Sequence, residues 1–147
     1  MQKVPYDKRR KISKAGSQKP IAKLKKEADK WFSLYIRYRD SKLMNGEFYT
    51  ECITCGVWKP LKNMQAGHFV SRSCNLLRYD DLNVHAQCVG CNMFKSGEQY
   101  QHGLKIDLMH GEGTAEALHS KRHITHKLTK DELEGIIRES KDYIAGL

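Results

Sequence analysis

Four of the five cysteines fall into two C-x-x-C pairs, Cys52-Ile53-Thr54-Cys55 and Cys88-Val89-Gly90-Cys91, with 32 residues between them. Zinc takes four thiolate or imidazole ligands at tetrahedral angles, and each C-x-x-C can fold around one edge of that tetrahedron. The expectation is one structural Zn²⁺ per chain, held by Cys52, Cys55, Cys88 and Cys91. The long spacing makes the site a clasp around an inserted unit rather than the closure of a bare hairpin. A thioredoxin-like redox pair would need one C-x-x-C in a βαβ setting and leaves the second pair without a purpose. Cys74 stands outside both pairs and reads as an ordinary free thiol.

Inside and beside the clasp lie polar residues able to do chemistry. His68 sits in Gln65-Ala66-Gly67-His68-Phe69-Val70, whose alternation suggests a short strand. Asn83-Val84-His85-Ala86-Gln87 runs into Cys88, Asn92 follows Cys91 directly, and Lys95 comes one helical turn later. The order His68, Asn83, Asn92 resembles the HNH motif of ββα-metal nucleases in the form whose third letter is Asn. With the flanks included, A-G-H-F, then N-V-H-A-Q-C-V-G-C-N, and K-S-G at 95–97, the chain resembles the NinG (Rap) recombination endonucleases of lambda-like phages. Tyr35-Ile36-Arg37-Tyr38-Arg39-Asp40 fits the helix before the first cysteine pair in that family. The resemblance covers roughly residues 19 to 147, with the specific motifs confined to 52–97. It implies a metal-dependent nuclease that cuts branched DNA, such as D-loops and four-way junctions, in the cytoplasm of a phage-infected bacterium. Asn83 would, by family analogy, brace the loop and orient His68.

These residue types suit that work. Phosphodiester hydrolysis needs a base for water, a divalent cation for the pentacoordinate phosphate and leaving oxygen, and cationic groups on the backbone. A neutral imidazole at His68 can take a proton near neutral pH. Asn92 offers a hard oxygen to Mg²⁺ or Mn²⁺, held in place by the neighbouring zinc clasp. Arg72, Arg78 and Lys95 are candidate phosphate contacts. One departure from the family pattern is Gly67: many HNH enzymes carry an Asp or His there as a second ligand of the catalytic metal. Asp80, Asp81 and His85 are the other candidates for that ligand. His85 would share a strand face with Asn83, and a core or hydrogen-bonding role is its alternative. The downstream histidines, His102, His110, His119, His123 and His126, show no H-x-x-x-H with a general-base Glu and are assigned no second zinc.

The elements that must position these groups can be read around them. From Pro20, apolar residues recur at Ile21, Leu24, Ala28, Trp31, Tyr35 and Tyr38, which predicts a long amphipathic helix over 19–45 stopping at Asn45-Gly46. Its stripe suits either packing on the domain's own core or a homodimeric coiled coil through 20–44. The HNH core spans 51–97. Beyond it, 98–110 and 115–119 read as short helices, and Thr129-Lys130-Asp131-Glu132 has the capping-box form that opens a final helix with Leu133, Ile136, Ile137 and Ile144 on its apolar face. The fold class expected is α+β: a ββα-metal (HNH) core clasped by the four-cysteine zinc site, a long N-terminal helix, and a helical C-terminal region over 98–147.

Length and charge agree with this. At 147 residues the chain is one compact domain, too short for a two-domain enzyme with a large substrate lobe. It contains no apolar run long enough to span a bilayer, and the basic N-terminus is followed by no secretory h-region. Lys and Arg number 26 against 17 Asp and Glu, for a net charge of +9. Residues 1–30 hold eleven of those cations against three acids, so the excess is concentrated there. Residues 1–18 read as a flexible basic arm in which Lys8, Arg9, Arg10 and Lys11 would contact phosphate without reading sequence. A solvated tail is the alternative. Two other functions remain open on sequence: a non-catalytic zinc module that binds nucleic acid, and an HNH nickase of packaging or homing type.

Overall fold

The computed structural model describes residues 19–147; the arm residues Lys8, Arg9, Arg10 and Lys11 lie outside them. Helix α1 runs over Ile21–Arg39. Three antiparallel strands follow, β1 Ser41–Met44, β2 Glu47–Glu51 and β3 Trp58–Pro60, in that order across a small sheet. A separate antiparallel hairpin joins β4 Met64–His68 to β5 Val84–Cys88. A single π-helical turn, Gly90–Phe94, leads to α2 Gln99–His110, α3 Thr114–Ser120 and α4 Lys130–Ala145. The architecture is mixed α+β. Among the described residues no helix is long and apolar enough to cross a membrane.

Helix α1 ends at Arg39, just past the last apolar position Tyr38 and short of the stop expected at Asn45-Gly46. Asn45 and Gly46 have φ of 50° and 82°, and they form the two-residue turn between β1 and β2, where Met44 faces Glu47. An Asn-Gly pair supplies the two positive-φ positions that match the right-handed twist of a hairpin, so it turns strands here rather than capping a helix. The helix instead ends against β5. Arg39 donates to the Val84 carbonyl at 2.8 Å, and the Asp40 carboxylate accepts from Ala86 N at 2.8 Å.

The buried face of α1 is Leu24, Ala28, Phe32 and Ile36, so it follows the expected stripe only as far as Ala28, and Trp31, Tyr35 and Tyr38 are half-buried at its edge. Leu24 and Ala28 pack with Leu128, Leu133 and Ile137, while Phe32 and Ile36 pack with Val84. Each large apolar side chain buried in this way contributes about 1.5–3 kcal/mol relative to exposure. The buried side chains of α1 are therefore committed to the domain's own core, the first of the two uses its spacing allowed. Helix α4 opens as expected, with the Thr129 hydroxyl accepting from Glu132 N and the Glu132 carboxylate accepting from Thr129 N.

Residues paired across the β4–β5 hairpin point to the same side, so the hairpin has two distinct faces. Ala66 and Val84 pack towards α1. Gln65 and Gly67 pair with Gln87 and His85 on the opposite face, where His85 meets α2.

Candidate functional site

The sequence between the cysteine pairs folds so that the end of β2 and the end of β5 bring four thiols together. The sulfurs of Cys52, Cys55, Cys88 and Cys91 all lie within 4.8 Å of one another. Cys55 Sγ and Cys88 Sγ are 3.8 Å apart, which matches the edge of about 3.8 Å that a tetrahedron with Zn–S bonds of ~2.3 Å requires. Burial pushes the Cys91 thiol up to about 12 and raises Cys55 as well. Burial acts on Cys52 in the same direction, but backbone N–H groups and the Thr54 hydroxyl outweigh it and bring that thiol down to about 6. Four sulfurs so placed, one already favouring the thiolate, fit a metal such as zinc. Cys74 is apart from them, buried with Val70, Leu77, Ile106, Ala115 and Leu118.

A cleft of about 770 Å³ runs along β4, lined by Met64, Gln65, Ala66 and His68 from that strand and by Asn92 from the π-helical turn. Arg37, Lys62, Arg72 and Arg78 also line it, with Asp29 as the single acid among the described residues of its lining. The expected trio is thus divided. His68 and Asn92 face the cleft, while Asn83 is fully buried in the loop that closes it.

Asn83 uses its whole amide on that loop. Its Oδ1 accepts from Val70 N at 2.7 Å, and its Nδ2 donates to the carbonyls of Val70 at 2.9 Å and Leu77 at 3.0 Å. The loop so braced carries Arg78, whose carbonyl lies 2.9 Å from His68 Nε2. A carbonyl can only accept, so Nε2 carries the imidazole proton and Nδ1 is left as a lone pair. Burial lowers the His68 pKa below its usual 6.5, aided by the charges of Arg78 and Arg72 and opposed by the Arg78 carbonyl and Asp29. The ring is therefore neutral at pH 7.

The cationic candidates separate as well. Arg78 is engaged: its guanidinium holds Asp29 by two bonds of 2.8 and 2.6 Å and donates to the Arg72 carbonyl at 2.7 Å. Its structural role is to fix the loop to α1, and it presents little free charge. Arg72 lines the cleft, whereas Lys95 is exposed outside it, 3.8 Å from Glu98. Lys62, Asp29 and Tyr79 belong to the cleft and carry no motif by which the sequence could have marked them, and Arg37, which the sequence offered only as part of the helix before the first cysteine pair, lines it too. Tyr79 donates to Asp29 at 2.8 Å, and burial, followed by that carboxylate, raises its phenol well above the ordinary value.

His85 does not join the cleft. Its Nε2 lies 3.1 Å from His110 Nε2 and its Nδ1 lies 3.3 Å from His102 Nε2, so both ring nitrogens are engaged in a row of three imidazoles. Of the two roles weighed for it, the hydrogen-bonding one is what the structure displays. Burial drives the pKa of His85 and of His102 down to about 3. Asp80 and Asp81 are spoken for too: Asp80 accepts from Leu82 N at 2.8 Å, and Asp81 pairs with Arg39 at 3.6 Å.

The remaining amides near the cleft are linked. Asn92 Nδ2 donates to Gln65 Oε1 at 2.8 Å. Gln87, the cross-strand partner of Gln65, is fully buried and donates from Nε2 to the Gly97 carbonyl at 2.9 Å. Its Oε1 has no hydrogen-bond partner among the described residues.

A mixed α+β chain with a four-cysteine centre beside a basic cleft carrying a neutral histidine is the class these features define. The family model described as Bacteriophage Lambda NinG protein matches residues 2–147, and the chain belongs to that family. Protein NinG of Salmonella phage P22 is 29% identical over 130 residues, covering 88% of this chain and 60% of the relative. Protein NinG of Escherichia phage lambda is 28% identical over 130 residues, 88% of this chain and 59% of its own length. Protein NinG of Escherichia phage 933W is 30% identical over 119 residues, covering 80% and 55% respectively. The chain thus spans less than two thirds of the length of these curated relatives. No solved structure matches it.

Proposed function

We propose that this protein is a divalent-metal-dependent DNA endonuclease of the HNH type, with a structural zinc in the four-cysteine centre and branched recombination intermediates as its substrates. The observation that carries the reading is the bond from His68 Nε2 to the Arg78 carbonyl, because it leaves Nδ1 as a proton acceptor in a basic cleft that also contains Asn92. Arg72, Arg37 and Lys62 bind the phosphate backbone along the cleft. His68 Nδ1 takes a proton from water as the water oxygen attacks phosphorus, and the P–O bond to the leaving sugar oxygen breaks on the opposite side. Asn92 would hold a Mg²⁺ or Mn²⁺ ion through Oδ1, the amide oxygen left over when Nδ2 donates to Gln65. Such an ion would supply positive charge for the phosphoryl and leaving oxygens. Asn83 and Asp29 act one step removed, through the loop and through Arg78. The basic arm over residues 1–18 adds affinity for DNA without contributing to the chemistry.

Branched DNA as the preferred substrate rests on membership of the NinG family and its resemblance to the recombination endonucleases. The test is incubation of the zinc-loaded protein with Mg²⁺ or Mn²⁺ and labelled linear, forked and four-way DNA. Metal-dependent cuts concentrated at branch points are expected. Tight binding with no cleavage under any divalent cation would replace this reading with that of a zinc module that only binds nucleic acid.

A further inference from the structure

We infer that the ring of Phe94 stacks on a base whose own stack is interrupted at a DNA branch point, and so sets a preference for branched over linear duplex, a role that rests on the nuclease reading above. Single exposed apolar residues are ordinary on protein surfaces. Phe94 differs in its position. It is 84% exposed, and it ends the π-helical turn two residues after Asn92. Met93 before it and Ser96 and Gly97 after it line the cleft, while Phe94 does not, so its ring stands out from the cleft rim into solvent.

The backbone under the ring is fixed. Lys95 N donates to the Gly90 carbonyl at 2.9 Å, Gly97 N to the Cys91 carbonyl at 2.8 Å, and Gln87 Nε2 to the Gly97 carbonyl at 2.9 Å. The turn is thus tied to the four-cysteine centre, and it presents the ring without the ordering cost of a mobile loop. Charge complementarity names the occupant. The adjoining cleft carries Arg37, Lys62 and Arg72, and Arg78 already holds the one acid among its described lining residues, Asp29. Lys95, next in the chain, has only an exposed pairing with Glu98 at 3.8 Å, a contact worth little in solvent. An apolar ring bordered by cations suits a polyanion that also offers π-faces, a nucleic-acid strand whose phosphates meet the cations while a base stacks on the ring. In continuous duplex both faces of each base are covered by its neighbours. Where strands diverge, a face is open to Phe94.

The test is the affinity of the zinc-loaded full chain, without added divalent cation, for labelled forked, four-way and linear duplex DNA, read by fluorescence anisotropy. Phe94→Ala is expected to lower the ratio of branched to linear affinity by roughly 5- to 100-fold, the effect of removing a ring on which a base stacks. Its zinc content and thermal midpoint should match wild type, because the ring is exposed. Phe94→Trp should keep the ratio, and Phe94→Leu, apolar without a π-face, should not. Leu108→Ala removes a side chain that is 80% exposed near the far end of α2, and it should leave the ratio as it is. No branched preference in the wild-type protein, an unchanged ratio in Phe94→Ala, full retention in Phe94→Leu, or an equal loss in Leu108→Ala would each overturn the inference. An unchanged ratio together with a lower sedimentation mass in Phe94→Ala would give the ring to a second copy of the chain instead. Branch-point cleavage by the wild-type protein with an unchanged ratio in Phe94→Ala removes only the stacking role. A lost ratio in Phe94→Ala with no cleavage by the wild-type protein under Mg²⁺ or Mn²⁺ removes only the nuclease.

Discussion

Asp29 on α1 grips Arg78 through two bonds of 2.8 and 2.6 Å, and the carbonyl of the same Arg78 receives the Nε2 proton of His68. A helix and a loop separated by 49 residues are thereby joined to the imidazole. The guanidinium holds the Asp29 carboxyl below its usual range against the opposing effect of burial. Asp29→Ala leaves Arg78 without its partner and should cost about 1–3 kcal/mol in urea unfolding. It should also slow cleavage, because the carbonyl that orients His68 is no longer fixed. Asp29→Glu should recover part of both, whereas unchanged stability and rate in Asp29→Ala would show that the pair positions nothing.

The four-cysteine centre joins the end of β2 to the end of β5 and to the turn carrying Asn92, and only Met64 and Ala86 pack with Cys52, Cys88 and Cys91 in that small cluster among the described residues. Metal bound there should supply much of the local folding energy. One zinc per chain is expected by elemental analysis, with Cys88→Ser or strong chelation lowering the thermal midpoint sharply. A zinc-free protein with an unchanged transition would refute the clasp.

His85 and His102 are neutral bases held down to about 3 from an ordinary 6.5. The unfolded chain binds protons below pH 6.5 that the folded chain refuses, so their stabilising effect is present above that pH and is lost as pH falls towards 3. The loss should approach about 2.7 kcal/mol per pH unit while both groups titrate. Urea midpoints measured from pH 7 to 5, above most carboxylate titration, should fall steeply, and His102→Gln should roughly halve the slope. A flat profile over that range would contradict the buried neutral assignment.

Much of this organisation was legible in the chain. The C-x-x-C pairs, the strand carrying His68 and the Thr129 capping box are local patterns, set by a few adjacent residues, and the folded protein displays each of them. Asn45-Gly46 misled because the same dipeptide serves a helix cap and a hairpin, and only pairing of β1 with β2 decides between them. The Asp29–Arg78 pair, the row of His110, His85 and His102, and the bond from Gln87 to the Gly97 carbonyl join segments that share no periodicity. Residue type and spacing contain no signal for such contacts.

The most direct measurement is the single-turnover cleavage rate of His68→Ala on four-way DNA with Mg²⁺, purified free of contaminating nuclease and compared with its binding of the same DNA. The account predicts a rate lower by roughly 10²–10⁴-fold with binding retained, since the cleft cations and the zinc clasp are untouched. For the wild-type protein, the acid limb of the pH–rate profile should fall below pH 6.5, in keeping with the lowered His68 pKa. Cleavage by His68→Ala at a rate close to wild type would contradict the assignment of His68 as the base.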